Sequence, residues 1–415
     1  MRKFDVDKPI AVVLGLGQNG LATVRCLGRK GVPVIGIDGN IKQYTARSKY
    51  CESMRCADFK KGEGLIELLV HIGKELPQKG VLFPSGDFAL YLLSERRDDL
   101  KDYYLFTFPT REVVSLSLDK KRFCDFAVGK GFPMAVTFFP KGEGACRLIS
   151  REIPYPCIIK PFQPNLGWRE KFPDQKLFKV SGPEELVRTY ERLSAVHSDL
   201  VVQECIEGDE SNLMFSLTYL NKDSEPLGMF TGRKLRQYPP HFGTSSMAQS
   251  IYNKEIADKS VEVLKAMKYT GYGSVEFKFN RRKGEFQVIE VSARTWFPHG
   301  ISTACGMNLE YLAYCDTVGL PLPSMNGFRE GIKWIHEERD LKSSLQYIRN
   351  GEMTPWQWMK SYRGSRTYAI SAWDDPKPML YMIGHIATVP FRYVLRRIKK
   401  CLGKEPSQQE LALGN

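Results

Sequence analysis

The chain is poor in the residues on which metal-stapled and disulfide-stapled folds depend. It has six histidines and ten cysteines in 415 residues. No two cysteines form a CxxC pair, so the spaced sets that hold structural zinc are missing. Cysteines scattered singly along so long a chain read as reduced thiols, which points to the cytoplasm. No apolar run approaches the roughly 20 residues that cross a bilayer. The opening MRKFDVDKPI lacks the apolar stretch of a signal peptide. No Ser-His-Asp or Cys-His arrangement announces covalent catalysis. Arginine-rich arms and basic–aromatic interleaving are also missing, so the net charge of +13 is not read as a nucleic-acid surface. That excess is uneven: residues 379–404 hold six Lys/Arg and no Asp or Glu.

What is present is a large apolar content, 42% of residues, enough to bury an extensive core. At roughly 100–200 residues per domain, the length predicts two to four units. The first opens with the apolar run IAVVL at 10–14, GLGQNG at 15–20, a helix to about residue 30, and VPVIGID at 32–38. This strand–glycine loop–helix–strand order begins a doubly wound sheet. Gly15, Gly17 and Gly20 match GxGxxG, and Asp38 lies where a ribose-binding acid would stand. The glycines are equally required by a tight strand-to-helix turn, so the motif alone is weak. The pattern continues through a helix at 62–76 and the strand GVLFP at 80–84. Ser85 and Asp87 follow at a strand's carboxyl end, where they are candidates to touch a ligand or, for Asp87, to cap the next helix.

In the middle of the chain, SLDKKRFCDFAVGKG at 117–131 predicts a helix opening on Asp119. PCIIKP at 156–161 is an apolar strand ending on Lys160, and LVVQECIEGDESN at 200–212 is a strand, a polar break and a second strand. The most informative stretch is 274–294. SVEFKF alternates, NRRKG supplies a turn, and EFQVIEVSAR alternates again. A turn centred near Lys283 sets Glu276 opposite Glu290, at roughly 4.5–5.5 Å between Cβ atoms. Facing carboxylates repel, and a divalent cation relieves the repulsion; Mg²⁺ favours one or two carboxylates plus phosphate oxygens. Ser292 and Arg294 stand on the same strand beside Glu290. Arg233, Lys234 and Arg236, within GRKLRQYPPHFGTSS at 232–246, are candidates to bind a carboxylate or a transferred phosphoryl group; the other reading of that stretch is a basic surface strand.

Taken in order, DK at 119–120, IIKP at 158–161, VVQECIEGDE at 201–210, VEFKF at 275–279 and VIEVSAR at 288–294 resemble the markers of the ATP-grasp superfamily. The resemblance covers about residues 8–330. It is to carboxylate–amine ligases related to D-aspartate ligase and to the large chain of carbamoyl-phosphate synthetase. It implies an α/β fold: a doubly wound pre-ATP-grasp domain (1–115), a two-lobed ATP-grasp domain (116–330, lid at about 120–200), and a helical extension with a basic amphipathic tail (331–415). It further implies ATP with one or two Mg²⁺ ions, Mn²⁺ being able to substitute. Lys120 and Lys160 would contact phosphates. Backbone at Glu204 and Ile206 would bind adenine with Gln203 at its edge, and Glu210 would hold the ribose. Glu276, Glu290 and Ser292 would bind metal, and Arg294 would face an acyl phosphate, with Arg233 and Lys234 as further candidate catalytic groups. The family normally binds no dinucleotide in its first domain.

Two departures stand out. The family's Glu-x-Asn on the metal strand ends here in Ser292, a weaker Mg²⁺ ligand. The flap after Lys160, FQPNLGWREKF, holds one glycine, leaving Trp168 and Lys171 to shape the lid. The activity implied is ATP-dependent activation of a carboxylate as an acyl phosphate, then amide formation with an amine. The alternatives are an ATP-binding protein that has lost turnover and a carboxylating or carbamoyl-phosphate-forming enzyme. Expected partners are small carboxylates and amines, amino acids or envelope precursors among them, and a second copy of the chain. Residues 379–404, apolar and basic with Pro390 limiting any helix, either lie on an anionic membrane at the inner face or dock on the protein.

Overall fold

Short β-branched runs separated by glycine turns and amphipathic helices build the first layer. The computed structural model describes residues 8–386 apart from 163–165 and 173–174. It places β1 (Ala11–Leu14), β2 (Val34–Asp38), β3 (Glu52–Arg55), β4 (Gly80–Pro84) and β5 (Tyr104–Phe106) in one parallel sheet, order β3-β2-β1-β4-β5. Alternation along β1 feeds two cores: Val12 and Leu14 point to one, Ala11 and Val13 to the other. Between β1 and the helix Gln18–Gly28 the chain turns at Gly15, with φ of +92°, and a Cβ on Gly20 would lie 2.0 Å from the Gly15 carbonyl oxygen. The glycines are therefore required by the turn itself.

The lid is a small antiparallel sheet of β6 (Thr137–Phe138), β7 (Cys157–Pro161), β8 (Phe178–Val180) and β9 (Leu200–Glu204), order β6-β9-β7-β8. It keeps its own core, in which Trp168 packs among Ile159, Val202, Tyr190 and Phe172. Trp168 thus shapes the lid as expected, whereas Lys171 is exposed.

The third sheet has seven strands: β10 (Leu213–Leu220), β11 (Pro226–Tyr238), β12 (Thr244–Ser250), β13 (Gly271–Asn280), β14 (Glu285–Ser292), β15 (Lys333–Ile335) and β16 (Arg366–Tyr368). Their order is β14-β13-β10-β11-β12-β15-β16. Both large cores run through this sheet and the first one. At their junction Gly271 takes φ of +87°, and a Cβ there would lie 2.3 Å from the Thr107 carbonyl oxygen. Only glycine allows that approach.

The segment 331–378, expected to be helical, carries the helices Glu337–Arg349 and Pro355–Ser361 and also β15 and β16. β15 extends the sheet because the edge strand β12 offers an open ladder, pairing Met247 with Ile335. Residues 377–386 are helical; the remainder of the basic stretch to 404 lies outside the described residues. No described helix is long and apolar enough to cross a membrane.

Buried charge ties the C-terminal segment to both sheets. Arg25 donates to Asp375 at 2.9 Å and to the Ala369 and Ile370 carbonyls. Arg236 holds Asp340 through two 2.8 Å bonds, and Ser246 also donates to Asp340. Asp340 is fully buried. Asp340→Ala strands the guanidinium in the core, a loss of about 3–5 kcal/mol. Chemical denaturation should report a fall of that size, and a fall below about 1 kcal/mol would show that the pair is solvated.

Candidate active site

The three-sheet arrangement leaves a cavity of about 690 Å³ between lid and seven-stranded sheet. Its walls include Lys120, Lys160, Gln203, Glu204, Ile206, Lys234, Glu276 and Glu290. Eight of the twelve residues singled out from the sequence thus meet at one place. Arg233, Glu210, Ser292 and Arg294 do not line it.

The hairpin β13–β14 delivers the two carboxylates. Asn280 pairs with Glu285 and Phe277 with Val288, so the turn centres between Arg282 and Lys283. Continued without interruption, that register would set Glu276 opposite Ile289. A bulge at Ile289 inserts one residue, and Glu276 pairs with Glu290 instead. The expected opposition is present, but it comes from the bulge as well as the turn. Val288 is buried in the core, while Glu290, two residues on, reaches the cavity. Only a bulge lets positions i and i+2 face opposite ways. Ser292 pairs with Ser274 further along.

Lys234 answers the paired carboxylates. Its Nζ lies 2.7 Å from Glu276 Oε1 and 5.2 Å from the Trp296 ring centre. Burial pushes the Glu276 carboxyl up, Lys234 pulls it down, and Glu290 adds to the rise. Arg233, one residue earlier on β11, projects to the other sheet face and binds Gln249 Oε1 at 2.8 and 3.1 Å. The period-two alternation of a strand explains why only one of two adjacent cations reaches the site.

Lys120 is the first residue of the helix Lys120–Gly129, which Asp119 caps by accepting from the Lys121 and Arg122 amides. Its Nζ donates to the Phe162 carbonyl at 3.1 Å. Lys160 donates to Gln203 Oε1 at 2.8 Å. Burial and the nearby Lys120 ammonium push the Lys160 pKa down to about 8, against an opposing pull from Glu290. The Glu204 side chain is spent on structure, accepting from the Val136 amide and from Asn280 and Lys283. Glu210 stands behind the cavity, accepting from the His241 amide at 2.7 Å and from the Tyr347 hydroxyl. Burial raises its pKa to about 7.

Other candidates have local duties. Asp38 accepts from the Leu16 and Asn40 amides at 2.6 and 2.8 Å, closing the glycine turn. Ser85 donates within the same turn. Asp87 makes no cap; it pairs with Arg294 at 2.5 Å and so turns that guanidinium toward the first domain.

Several site residues carry no sequence signal. Lys176, ahead of β8, lines the cavity, and burial together with Arg339 and Lys234 lowers its pKa. Phe297 forms part of the wall, its ring stacked on His336 at 5.3 Å and covered by the Arg339 guanidinium at 4.7 Å. These belong to irregular or C-terminal segments in which no pattern marks them.

This sheet order and cavity resemble those of ATP-grasp proteins. Residues 244–325 match the family model described as carbamoyl-phosphate synthase L chain, ATP binding domain. The chain is 24% identical to a D-aspartate ligase of Enterococcus faecium over 274 residues, which is 63% of this chain and 65% of that protein's length. Among solved structures, the biotin carboxylase domain dimer of the Hydrogenobacter thermophilus 2-oxoglutarate carboxylase, with MgADP, ADP and bicarbonate, superposes with a TM-score of 0.60 at 18% identity. It covers 78% of this chain and 73% of that one. An L-amino acid ligase from Bacillus licheniformis gives a TM-score of 0.56 at 14% identity, over 75% and 74% of the two chains. These structural likenesses show a common fold.

The Lys160 shift has a direct consequence for nucleotide binding. A phosphate contact by Lys160, which the resemblance implies, would be fully attractive below about pH 8. A bound polyanion raises that pKa, so the attraction is lost as pH climbs through the higher bound-state value. ATP affinity measured by calorimetry should fall from about pH 8 upward, by at most roughly tenfold per unit. Lys160→Arg, which stays charged, should flatten the profile; an equally steep fall in that variant would assign it to another group.

Proposed function

We propose that the protein is an ATP-dependent carboxylate–amine ligase. The observation that carries this reading is the opposed pair Glu276 and Glu290 on the wall of a cavity that also holds Lys120, Lys160 and Lys234. Two facing carboxylates open to a cavity suit Mg²⁺, which takes its other ligands from phosphate oxygens and water. Magnesium bound there would neutralise the charge that develops on the transferred phosphoryl group, with Ser292 as a weak additional donor.

The chain's own groups do the positioning. Lys120 and Lys160 hold the phosphates from the lid side. The Glu204 carbonyl and the Ile206 amide take the adenine edge, beside Gln203, while Glu210 supports the ribose end from behind Gln237 and His241. A substrate carboxylate oxygen attacks the γ-phosphorus, and ADP leaves with the bridging oxygen. The amine then attacks the acyl carbon, loses a proton, and phosphate departs. Phosphoryl transfer depends on alignment and charge neutralisation rather than on a covalent intermediate with the protein. Lys234, fixed by Glu276 and Trp296, is the cation placed to stabilise the transferred group, a role that Arg294 cannot take while it is held by Asp87.

An ADP-release screen of amino acids and small carboxylates tests the reading, with Glu290→Ala as control; no ADP with any pair would favour an ATP-binding protein without turnover. Within an active system, Lys234→Ala should lower turnover by roughly 10²–10³-fold. Arg233→Ala should keep it near wild type, and a larger loss for Arg233→Ala would reverse the assignment.

A peripheral membrane location is part of the same proposal. Leu380, Tyr381, Ile383 and Ile386 are exposed on the helix at 377–386, and the six Lys/Arg of 379–404 follow. Apolar residues beside basic ones suit an anionic lipid surface. Deleting 379–415 should abolish sedimentation with anionic vesicles, and retained sedimentation would rule out that anchor.

A further inference from the structure

The flap after Lys160 is where this chain departs most from the resemblance. FQPNLGWREKF holds Gly167 alone, and that glycine lies inside the helix Leu166–Lys171. Trp168, on the same helix, is buried in the lid core, and its Nε1 donates to the Gln175 carbonyl at 3.1 Å. A glycine-rich flap holds phosphate with free backbone amides, because a missing Cβ lets the chain come close. Here Trp168, Phe172, Gln175, Lys176 and Leu177 form this wall of the cavity. The Phe172 amide donates to the Trp168 carbonyl at 2.8 Å, and the Gln175 amide to the Phe172 carbonyl at 3.2 Å. These two amides have no proton left for a ligand.

What the wall does offer is a cation. Lys176 lines the cavity and is exposed in it. The bond from Trp168 fixes the chain one residue before it, and β8 begins two residues after it. Among the described residues Lys176 makes no ion pair and no hydrogen bond. The charges that act on it most strongly are the Arg339, Lys234 and Lys120 cations and the Glu290 carboxylate. A cation among cations is unfavourable until an anion arrives. Glu290 and Lys234 belong to the end of the cavity that holds the paired carboxylates, so the unanswered charge lies at that end. A second cavity, also about 690 Å³, lies along the helix Gln18–Gly28 and shares Phe297 with the first. Its helix arginines are already answered, Arg25 by Asp375 and Arg29 by Asp374.

We propose that Lys176 binds the terminal phosphate of the nucleotide, so that one side-chain cation does in this lid what backbone amides do in a glycine-rich flap. The inference rests on reading this cavity as the Mg-ATP site. ADP lacks the group that Lys176 meets and gains nothing from it. The residue therefore sets the preference for triphosphate over diphosphate. After transfer the ammonium stays with the phosphoryl group rather than with ADP.

The test is calorimetry in the presence of Mg²⁺, comparing ADP with the non-hydrolysable β,γ-imido analogue of ATP. The proteins are wild type, Lys176→Ala, Lys176→Arg and Lys171→Ala. Lys171 is exposed on the flap helix and lies outside the cavity wall, so it controls for general charge. Lys176→Ala should weaken the triphosphate at least about tenfold and ADP less than about twofold. Lys176→Arg keeps the charge and should recover most of the triphosphate affinity. A merely structural role would lower both nucleotides together and would not be rescued by arginine. Lys171→Ala should bind both as the wild type does. Equal losses for both nucleotides in Lys176→Ala, no loss for either, or the same loss in Lys171→Ala would overturn the assignment. A wild type that binds neither nucleotide would overturn it together with the Mg-ATP reading. ADP release is a separate readout: if no acceptor pair is turned over, the ligase reading fails, and a triphosphate preference that Lys176→Ala abolishes still supports Lys176.

Discussion

The site depends on holding two carboxylates against their own repulsion across one rung of a hairpin. Glu276 is nearly buried, Glu290 faces it, and Lys234 touches the first at 2.7 Å. Neither Glu276 nor Lys234 would be stable there alone, because an unpaired buried charge costs several kcal/mol. Together they form a triad with one negative charge in excess, directed at a cavity lined by Lys120, Lys160 and Lys176. That residual charge is what a divalent cation answers, and the surrounding lysines are what a polyphosphate answers. The bulge at Ile289 is the backbone device behind it, since without the extra residue the apolar Ile289 would face Glu276.

Much of this was legible in the sequence, for identifiable reasons. β1, β2 and β4 of the first sheet and the helix opening on Asp119 follow from short apolar runs, glycine turns and a capping carboxylate, all of them local signals. Lys160 could be found because it closes a short apolar strand, and Glu276 because it sits on a strand whose apolar alternation fixes its face. The pairing of Glu276 with Glu290 was read from a turn centre near Lys283. The true centre is half a residue earlier, and the bulge makes up the difference; a bulge leaves no mark in an alternating run. Arg233 and Lys234 show the limit of such reading: neighbours in sequence, they divide between the two faces of β11, and the stretch alone does not say which face holds the site.

What the sequence hid depends on contacts between distant segments. Glu210 is drawn away from the cavity wall by Tyr347, and Arg294 by Asp87. Asp38 resembles a ribose acid by spacing, yet its oxygens are bonded to the Leu16 and Asn40 amides. Each is a polar group engaged by a partner tens to hundreds of residues away, or by a loop whose shape no periodicity encodes. Local pattern gives the address of a side chain but not its partner.

The segment beyond residue 330 shows why partners matter for function. It adds β15 and β16 to the sheet, supplies Tyr347 to Glu210, and brings His336 and Arg339 against the Phe297 ring. Burial holds His336 neutral, its pKa pushed down to about 3. The Phe297 ring therefore contacts a neutral imidazole and a guanidinium, and it lines both cavities. The helix Glu337–Arg349, which carries Arg339 and follows directly on His336, thus packs beside the residue that the two cavities share. The same helix is anchored by Asp340 to Arg236 on β11, two residues from Lys234. One buried ion pair thereby couples the strand that carries Lys234 to the wall between the two cavities.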